Sequence, residues 1–180
     1  RMETNISIHQ KGFELFLEDE TIAKRIRLMA IQLNVDYENR NPLFIGVLNG
    51  SFLFIADLMK DIDLSCETEF IKVASYYGTN SIGSVRDAFG MPQNLKGRDI
   101  VIVEDIIDSG LTMKYILSKI YEQEPASVAV CTLLFKPEAL KEEIKELAYV
   151  GFEIPNEFVV GYGLDYDGLG RNLNHIYRAV

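Results

Sequence analysis

The stretch Val101-Ile102-Val103-Glu104-Asp105-Ile106-Ile107-Asp108-Ser109-Gly110-Leu111-Thr112 decides the reading of this 180-residue chain. It opens in Asp99-Ile100-Val101-Ile102-Val103, an apolar run of the kind buried on both faces of a parallel sheet. The run is expected to end on Glu104 and Asp105, with Asp108 three residues later and a small-residue turn after it. Met113, Ile116, Leu117 and Ile120 then recur on one face of a helix. A strand, a Gly-containing turn and a helix N-terminus suit a phosphate, because backbone N–H groups approach it closely and the helix dipole favours an anion. The carboxylates do not bind phosphate, so they imply sugar hydroxyls, a divalent metal or a proton to move. Together these describe a phosphorylated sugar. The alternative is an ordinary strand–turn–helix with solvated acids and Ser109 as helix cap. Against it, three acids at the end of a buried strand repel one another, and the stretch contains no cation.

Outward from this motif the chain alternates strands with helical patterns. Ile22, Ile26, Met29 and Leu33 mark an amphipathic helix, preceded by Glu18-Asp19-Glu20, which suits its positive end. Leu43 to Leu48 reads as a first core strand, Asn49-Gly50-Ser51 as a turn, and Phe52, Ile55, Ala56 and Met59 as a helix capped by Ser51. Phe70 to Ala74 is a second strand, whose Lys72 suggests an exposed face or an edge. Residues 75–97 hold Gly78, Gly83, Gly90 and Gly97 among serines and few periodic apolar residues, which fits a lid or binding loop over a ligand, or else a disordered surface excursion or a hairpin arm. Tyr76 and Tyr77 favour the lid. Ser127 to Phe135 is another buried strand, Pro137 is expected to open a helix bearing Leu140, Ile144 and Leu147, and Glu157 to Tyr162 a last strand. This alternation predicts an α/β fold with right-handed crossovers and a parallel sheet. Ligands of such sheets bind beyond the carboxyl ends of the strands. That rule brings Asn49-Gly50, Ser75-Tyr76, residues 104–112, Lys136 and residues 163–171 to one rim.

One domain is expected at this length, with about half of the residues (48%) hydrophobic and 25% charged. A net charge of −9 argues against non-specific binding of nucleic acid, which runs on Lys and Arg. No apolar run is long enough to span a bilayer and no signal-peptide pattern opens the chain, so a cytoplasmic location is expected. Cys66 and Cys131 have neither a CxxC nor a zinc spacing and read as small core hydrophobes. His9 and His175 lie far from any nucleophile pattern and read as structural. By themselves, Lys136 fits a lysine snorkelling from a strand end, Asp165 and Asp167 fit turn residues, and Arg171 fits a surface ion pair.

Taken together, Glu-Asp-Ile-Ile-Asp-Ser-Gly-Leu-Thr at 104–112 resembles the phosphoribosyl-pyrophosphate (PRPP) loop of the phosphoribosyltransferases. Lys136, Gly-Phe-Glu-Ile-Pro at 151–155 and Val159 to Tyr166 narrow the resemblance to the 6-oxopurine (hypoxanthine–guanine) branch of the type I members. It covers about Pro42 to Arg171, in order. The resemblance implies a Rossmann-like parallel sheet flanked by helices, with a core at about 38–150. It also implies a small hood from about 1–15 and 151–180, and a mobile loop beginning at Ser75-Tyr76.

The implied reaction joins PRPP to N9 of hypoxanthine, and of guanine, giving IMP or GMP and pyrophosphate, with Mg²⁺. The resemblance implies Asp108 as general acid/base at the purine N7 and Arg171 on the pyrophosphate. Backbone and hydroxyls of Asp108, Ser109, Gly110, Leu111 and Thr112 would take the 5′-phosphate. Glu104 and Asp105 would take the ribose hydroxyls, directly or through metal-bound water, and these two with Asp165 are the implied metal residues. Lys136 would read the purine 6-oxo group, Phe158 would stack on the base, and Val159 and Asp165 would contact it. Asn49-Gly50 falls in the pyrophosphate loop, which in this family has an unusual cis peptide before the glycine and most often a lysine where this chain has Asn49. Gly168-Leu169-Gly170 also departs from the more polar or aromatic residues expected there. A homodimer or homotetramer is implied. Rival readings are a sister transferase using xanthine, uracil or orotate, and a non-catalytic PRPP sensor. The sensor would call for a basic face or an added DNA-binding domain.

Overall fold

The structure is a computed structural model describing residues 3–76 and 84–180, without the side chains of 74–76 and 84–88. Strands β1 (Asn5–Ile8) and β2 (Lys11–Leu17) form a hairpin ahead of helix α1 (Asp19–Asp36). This helix buries Ile22, Ile26, Met29, Ala30 and Leu33, the face its periodicity predicts. Its first N–H has no side-chain cap from Glu18; instead Asp19 N–H donates to Nδ1 of the distant His175 at 2.9 Å. His175 is structural in this sense.

Next come β3 (Leu43–Leu48), α2 (Phe52–Lys60), β4 (Glu67–Tyr76) and β5 (Ser84–Phe89). They are followed by β6 (Asp99–Ile107), α3 (Leu111–Tyr121), β7 (Ser127–Phe135) and β8 (Leu147–Glu153). The short β9 (Val159–Val160) and β10 (Ile176–Ala179) end the chain. Six strands form one sheet in the order β5-β4-β3-β6-β7-β8, with β5 alone antiparallel. Val101, Val103 and Leu133 belong to one core layer with α1 and α2, while Ile100, Ile102 and Val130 belong to the layer containing α3. The expected α/β sheet flanked by helices is therefore present. A second sheet, β1-β2-β10-β9, draws on both ends of the chain and buries Phe13, Val160 and Tyr177.

Several local expectations are corrected. Residues after Pro137 form a single 3₁₀ turn, Pro137–Ala139, rather than a helix, and Leu147 opens β8. Leu140 and Ile144 dock on the turn before α3, so their spacing reflects tertiary packing. Of the strand expected at 157–162 only Val159–Val160 joins the sheet, because Gly161, Tyr162 and Gly163 all have positive φ and Gly161 pairs back locally with Leu164. Ser51 does not cap α2 with its side chain; its Oγ is buried without a hydrogen-bond partner. Lys72 is exposed as expected, but β5 covers β4, which is not an edge. The 75–97 segment thus contains a hairpin arm, and the part of the lid reading that falls on 77–83 lies outside the described residues. β6 runs on through Glu104 and Asp105 to Ile107 instead of ending before them. Cys131 is fully buried whereas Cys66 is only partly so.

Candidate active site

The carboxyl end of β6 puts Glu104 and Asp105 inside the sheet and Asp108 on the turn beyond it. Glu104 is 7% exposed and accepts the N–H of Asp105 at 3.1 Å, while Asp105 accepts that of Ile106 at 2.8 Å. Burial, reinforced by the neighbouring Asp105 charge, pushes the Glu104 carboxyl well above the ordinary range. Desolvation also raises Asp105, an effect partly opposed by its hydrogen bonds to the Glu104 carboxyl and backbone N–H groups and, least, by the charge of Arg171. The pair is thus a desolvated, oxygen-rich corner whose two carboxyls hydrogen-bond each other.

Residues 104–110, Thr112 and Met113 line a cleft of about 240 Å³. At its far side Gly110 adopts φ +87°, and a Cβ there would lie 2.9 Å from Leu140 Cδ1 and 3.1 Å from Glu142 O. Glycine is therefore required for the turn to close on the following segment. Lys141 N–H also donates to Ser109 O at 2.9 Å, and Ser109 Oγ accepts Leu111 N–H at 3.3 Å. The start of α3 at Leu111 directs a positive helix end into this cleft.

Three groups of the expected residues meet around this corner. Lys136, 5% exposed at the end of β7, donates from Nζ to Asp108 Oδ2 at 3.1 Å. The Asp108 carboxyl itself is half exposed. Gly50 packs on Asp105 so tightly that a Cβ would lie 1.9 Å from Oδ2, and a Cβ on Gly163 would lie 2.2 Å from Gly50 O. Arg171 Nη1 donates to Gly163 O at 2.7 Å and its Nη2 pairs with Asp165 at 3.3 Å. Asp165 also accepts Gly168 N–H at 2.8 Å. The Leu48–Asn49 peptide is cis, and Asn49 is exposed.

Phe158 is exposed, with Tyr166 edge-on at 5.5 Å and Phe13 at 6.1 Å behind it, whereas its neighbour Val159 is buried. Ser75 and Tyr76 end β4, but their side chains lie outside the described residues. Among the described residues no three acidic, His or Cys side chains converge as a ready metal cage, so Glu104, Asp105 and Asp165 do not form one by themselves. Three side chains receive no role from the sequence alone. Tyr166 and Phe13 brace Phe158, and Tyr162 ties its loop to α2. The only sequence signal for Tyr162 is a tyrosine flanked by glycines.

Residues 15–167 match the phosphoribosyl transferase domain model. The chain belongs to the phosphoribosyltransferase family. It is 50% identical over 163 residues to the hypoxanthine-guanine phosphoribosyltransferase of Lactococcus lactis, covering 90% of this chain and 87% of the relative. It is 43% identical to the enzyme of the same name from Streptococcus pyogenes over 91% of each chain. The solved hypoxanthine phosphoribosyltransferase of Staphylococcus aureus superposes with a TM-score of 0.84 at 36% identity, covering 93% of this chain and 91% of that one.

Proposed function

We propose that this protein is a purine-salvage enzyme transferring the 5-phosphoribosyl group from PRPP to N9 of hypoxanthine, and of guanine, giving IMP or GMP and pyrophosphate. The observation that carries this reading is the Lys136–Asp108 pair at 3.1 Å, directly beside the PRPP-type cleft. A purine above the cleft meets a donor for its 6-oxo oxygen and a carboxylate for its N7 proton side by side. An adenine amino group would meet the ammonium donor-to-donor, so the site discriminates by leaving a polar group unpaired.

Cleavage at the anomeric carbon runs ahead of attack by N9 and builds positive charge on the sugar. Glu104 and Asp105 hold the ribose hydroxyls beneath it. The N-terminal turn of α3, with Ser109, Gly110, Leu111 and Thr112, holds the 5′-phosphate. Asp108 moves the proton at N7. Arg171 offers a fixed fork of donors to the pyrophosphate, with the Asn49-Gly50 backbone opposite. Phe158 supplies a ring face to the base, braced by Tyr166, with Val159 and Asp165 along its edge. Closure of the segment beginning at Ser75-Tyr76 excludes water from the activated sugar.

The donor set fits Mg²⁺. The two buried carboxylates are hard oxygen ligands without a hydrogen-bonded cation, and Mg²⁺ is usually held by one or two carboxylates with the rest supplied by substrate phosphates and water. Glu104, Asp105 and, after leaving Arg171, Asp165 would hold it. When bound it offsets the charge of the leaving pyrophosphate. We read the second sheet as the hood over the base and the larger sheet as the core. Among the described residues no helix is long and apolar enough to cross a membrane, and a cytoplasmic setting suits the substrates. Exposed Leu28, Ile31 and Val35 on α1 and Phe52 on α2 support a homodimer or homotetramer. The test is nucleotide formation from PRPP with Mg²⁺, offering hypoxanthine, guanine, xanthine and adenine separately. Product from hypoxanthine and guanine and none from adenine is expected; product from adenine, or from no purine, overturns the reading.

A further inference from the structure

Gly161, Tyr162 and Gly163 have φ of +104°, +49° and +99°. A tyrosine held in the left-handed region stores strain and persists only where its surroundings over-determine it. Here they do. The ring is buried, its hydroxyl donates to Asp57 Oδ2 at 2.5 Å, and the Leu53 carbonyl lies 3.4 Å away. Leu53 and Asp57 are one turn apart on α2, which begins directly after Asn49-Gly50-Ser51. On the other side, Tyr162 N–H donates to Leu173 O at 2.8 Å and Gly163 N–H to Arg171 O at 2.9 Å. The Gly163 carbonyl receives the Arg171 guanidinium.

We infer that the Tyr162–Asp57 hydrogen bond is a positioning device for the pyrophosphate half of the site, fixing the Arg171 loop against the Asn49-Gly50 loop. The inference deepens the proposed function and rests on it for the identity of the ligand. One contact path runs from Asn49-Gly50 through α2 to Asp57, across to Tyr162, and on to Gly163 and Arg171. Asn49 brings no charge, so placement of the planar Arg171 fork weighs more at this corner than it would beside a lysine. The pair is built to persist. Burial and the Asp57 carboxylate push the phenol's pKa upward, keeping it a donor, and Lys60 sits 3.7 Å away on the other Asp57 oxygen, where it does not compete.

The experiment compares wild type with Tyr162→Phe, Asp57→Asn and Asp57→Leu, reading KM for PRPP and hypoxanthine, Kd for Mg²⁺-pyrophosphate, and Tm. Tyr162→Phe and Asp57→Leu should raise the PRPP and pyrophosphate constants roughly tenfold and leave the hypoxanthine KM within about twofold. Asp57→Asn, whose amide oxygen still accepts, should lie between wild type and Asp57→Leu. Equal shifts for both substrates, no shift in either, a lowered Tm without a change in their ratio, or Asp57→Asn as damaging as Asp57→Leu would each overturn the inference. Failure of the wild type to use any purine would instead remove the proposed base. The pyrophosphate constant reads the positioning without a base.

Discussion

At the amino end of β6, Asp99 receives Arg40 at 2.7 Å and Ser127 Oγ at 2.6 Å, and the Arg40 hydrogen bond holds its carboxyl below the usual range. At the carboxyl end, Glu104 is buried and Asp105 partly so; the two carboxyls hydrogen-bond each other and receive backbone N–H groups, and desolvation pushes both upward. One strand thus carries a carboxylate whose cation the fold supplies and a pair without a hydrogen-bonded cation, which the proposed function assigns to a metal ion and ribose hydroxyls. The first is architecture; the second is a site held at a cost in stability. Arg171 lowers Asp105 only through its charge, and its own donors go to Gly163 and Asp165.

The sharpest way to break this contrast is at the turn after β6. Asp108→Asn should lower turnover by roughly 10²–10⁴-fold, the usual contribution of a positioned proton-transfer group. Unchanged kcat in a steady-state assay would take Asp108 out of the chemistry. Lys136→Met comes next. It should raise the hypoxanthine KM by roughly 10–100-fold, the worth of a hydrogen bond to a charged group, with the PRPP KM nearly constant. Parallel losses for the two substrates would count against base recognition.

The smallest effect belongs to the opposite end of the strand. Asp99→Asn should leave kcat unchanged and cost about 1 kcal/mol, discounted because Arg40 is half exposed, as read by denaturant unfolding. Because the folded carboxyl is lowered from its ordinary 3.8, its contribution is complete above that value and fades as pH falls through the folded one. The difference between variant and wild type should therefore shrink in acid.

What was legible in the sequence follows the same division. The 104–112 motif is local: strand, acids, glycine turn and helix are contiguous, so their chemistry can be read in order. β3, β6, β7 and the buried face of α1 are legible because burial imprints period and composition directly. The region from 137 to 171 was misread where tertiary contacts override local pattern. Leu140 and Ile144 follow helical spacing yet pack as a loop on Gly110, and the Val159–Tyr162 run looks extended until its glycines turn it toward α2. Of the second sheet, the sequence shows only the strand around Val159–Val160, and the family resemblance implies a hood at the chain's two ends without strands. The sheet's strands β1 and β2 are short, with mostly intermediate burial, and β2 pairs on its far side with β10, more than 150 positions away. The Gly50–Gly163 approach and the Phe158 brace are long-range facts with no local signature.

The most direct test of the contrast is the thermal melting of wild type and of the Glu104→Gln, Asp105→Asn double variant at pH 7.5, each with and without Mg²⁺ and PRPP. A carboxyl raised on folding keeps a proton that the unfolded chain releases, so stability falls as pH climbs above the ordinary glutamate value of 4.5. Removing the ionisable pair should therefore raise the Tm of the free protein, by roughly 2–4 °C per kcal/mol relieved. The ligands should lift wild type by about 5–10 °C at a hundredfold excess over Kd and leave the variant nearly unmoved. A double variant that melts lower than wild type, yet gains the same shift from Mg²⁺ and PRPP, would contradict the account.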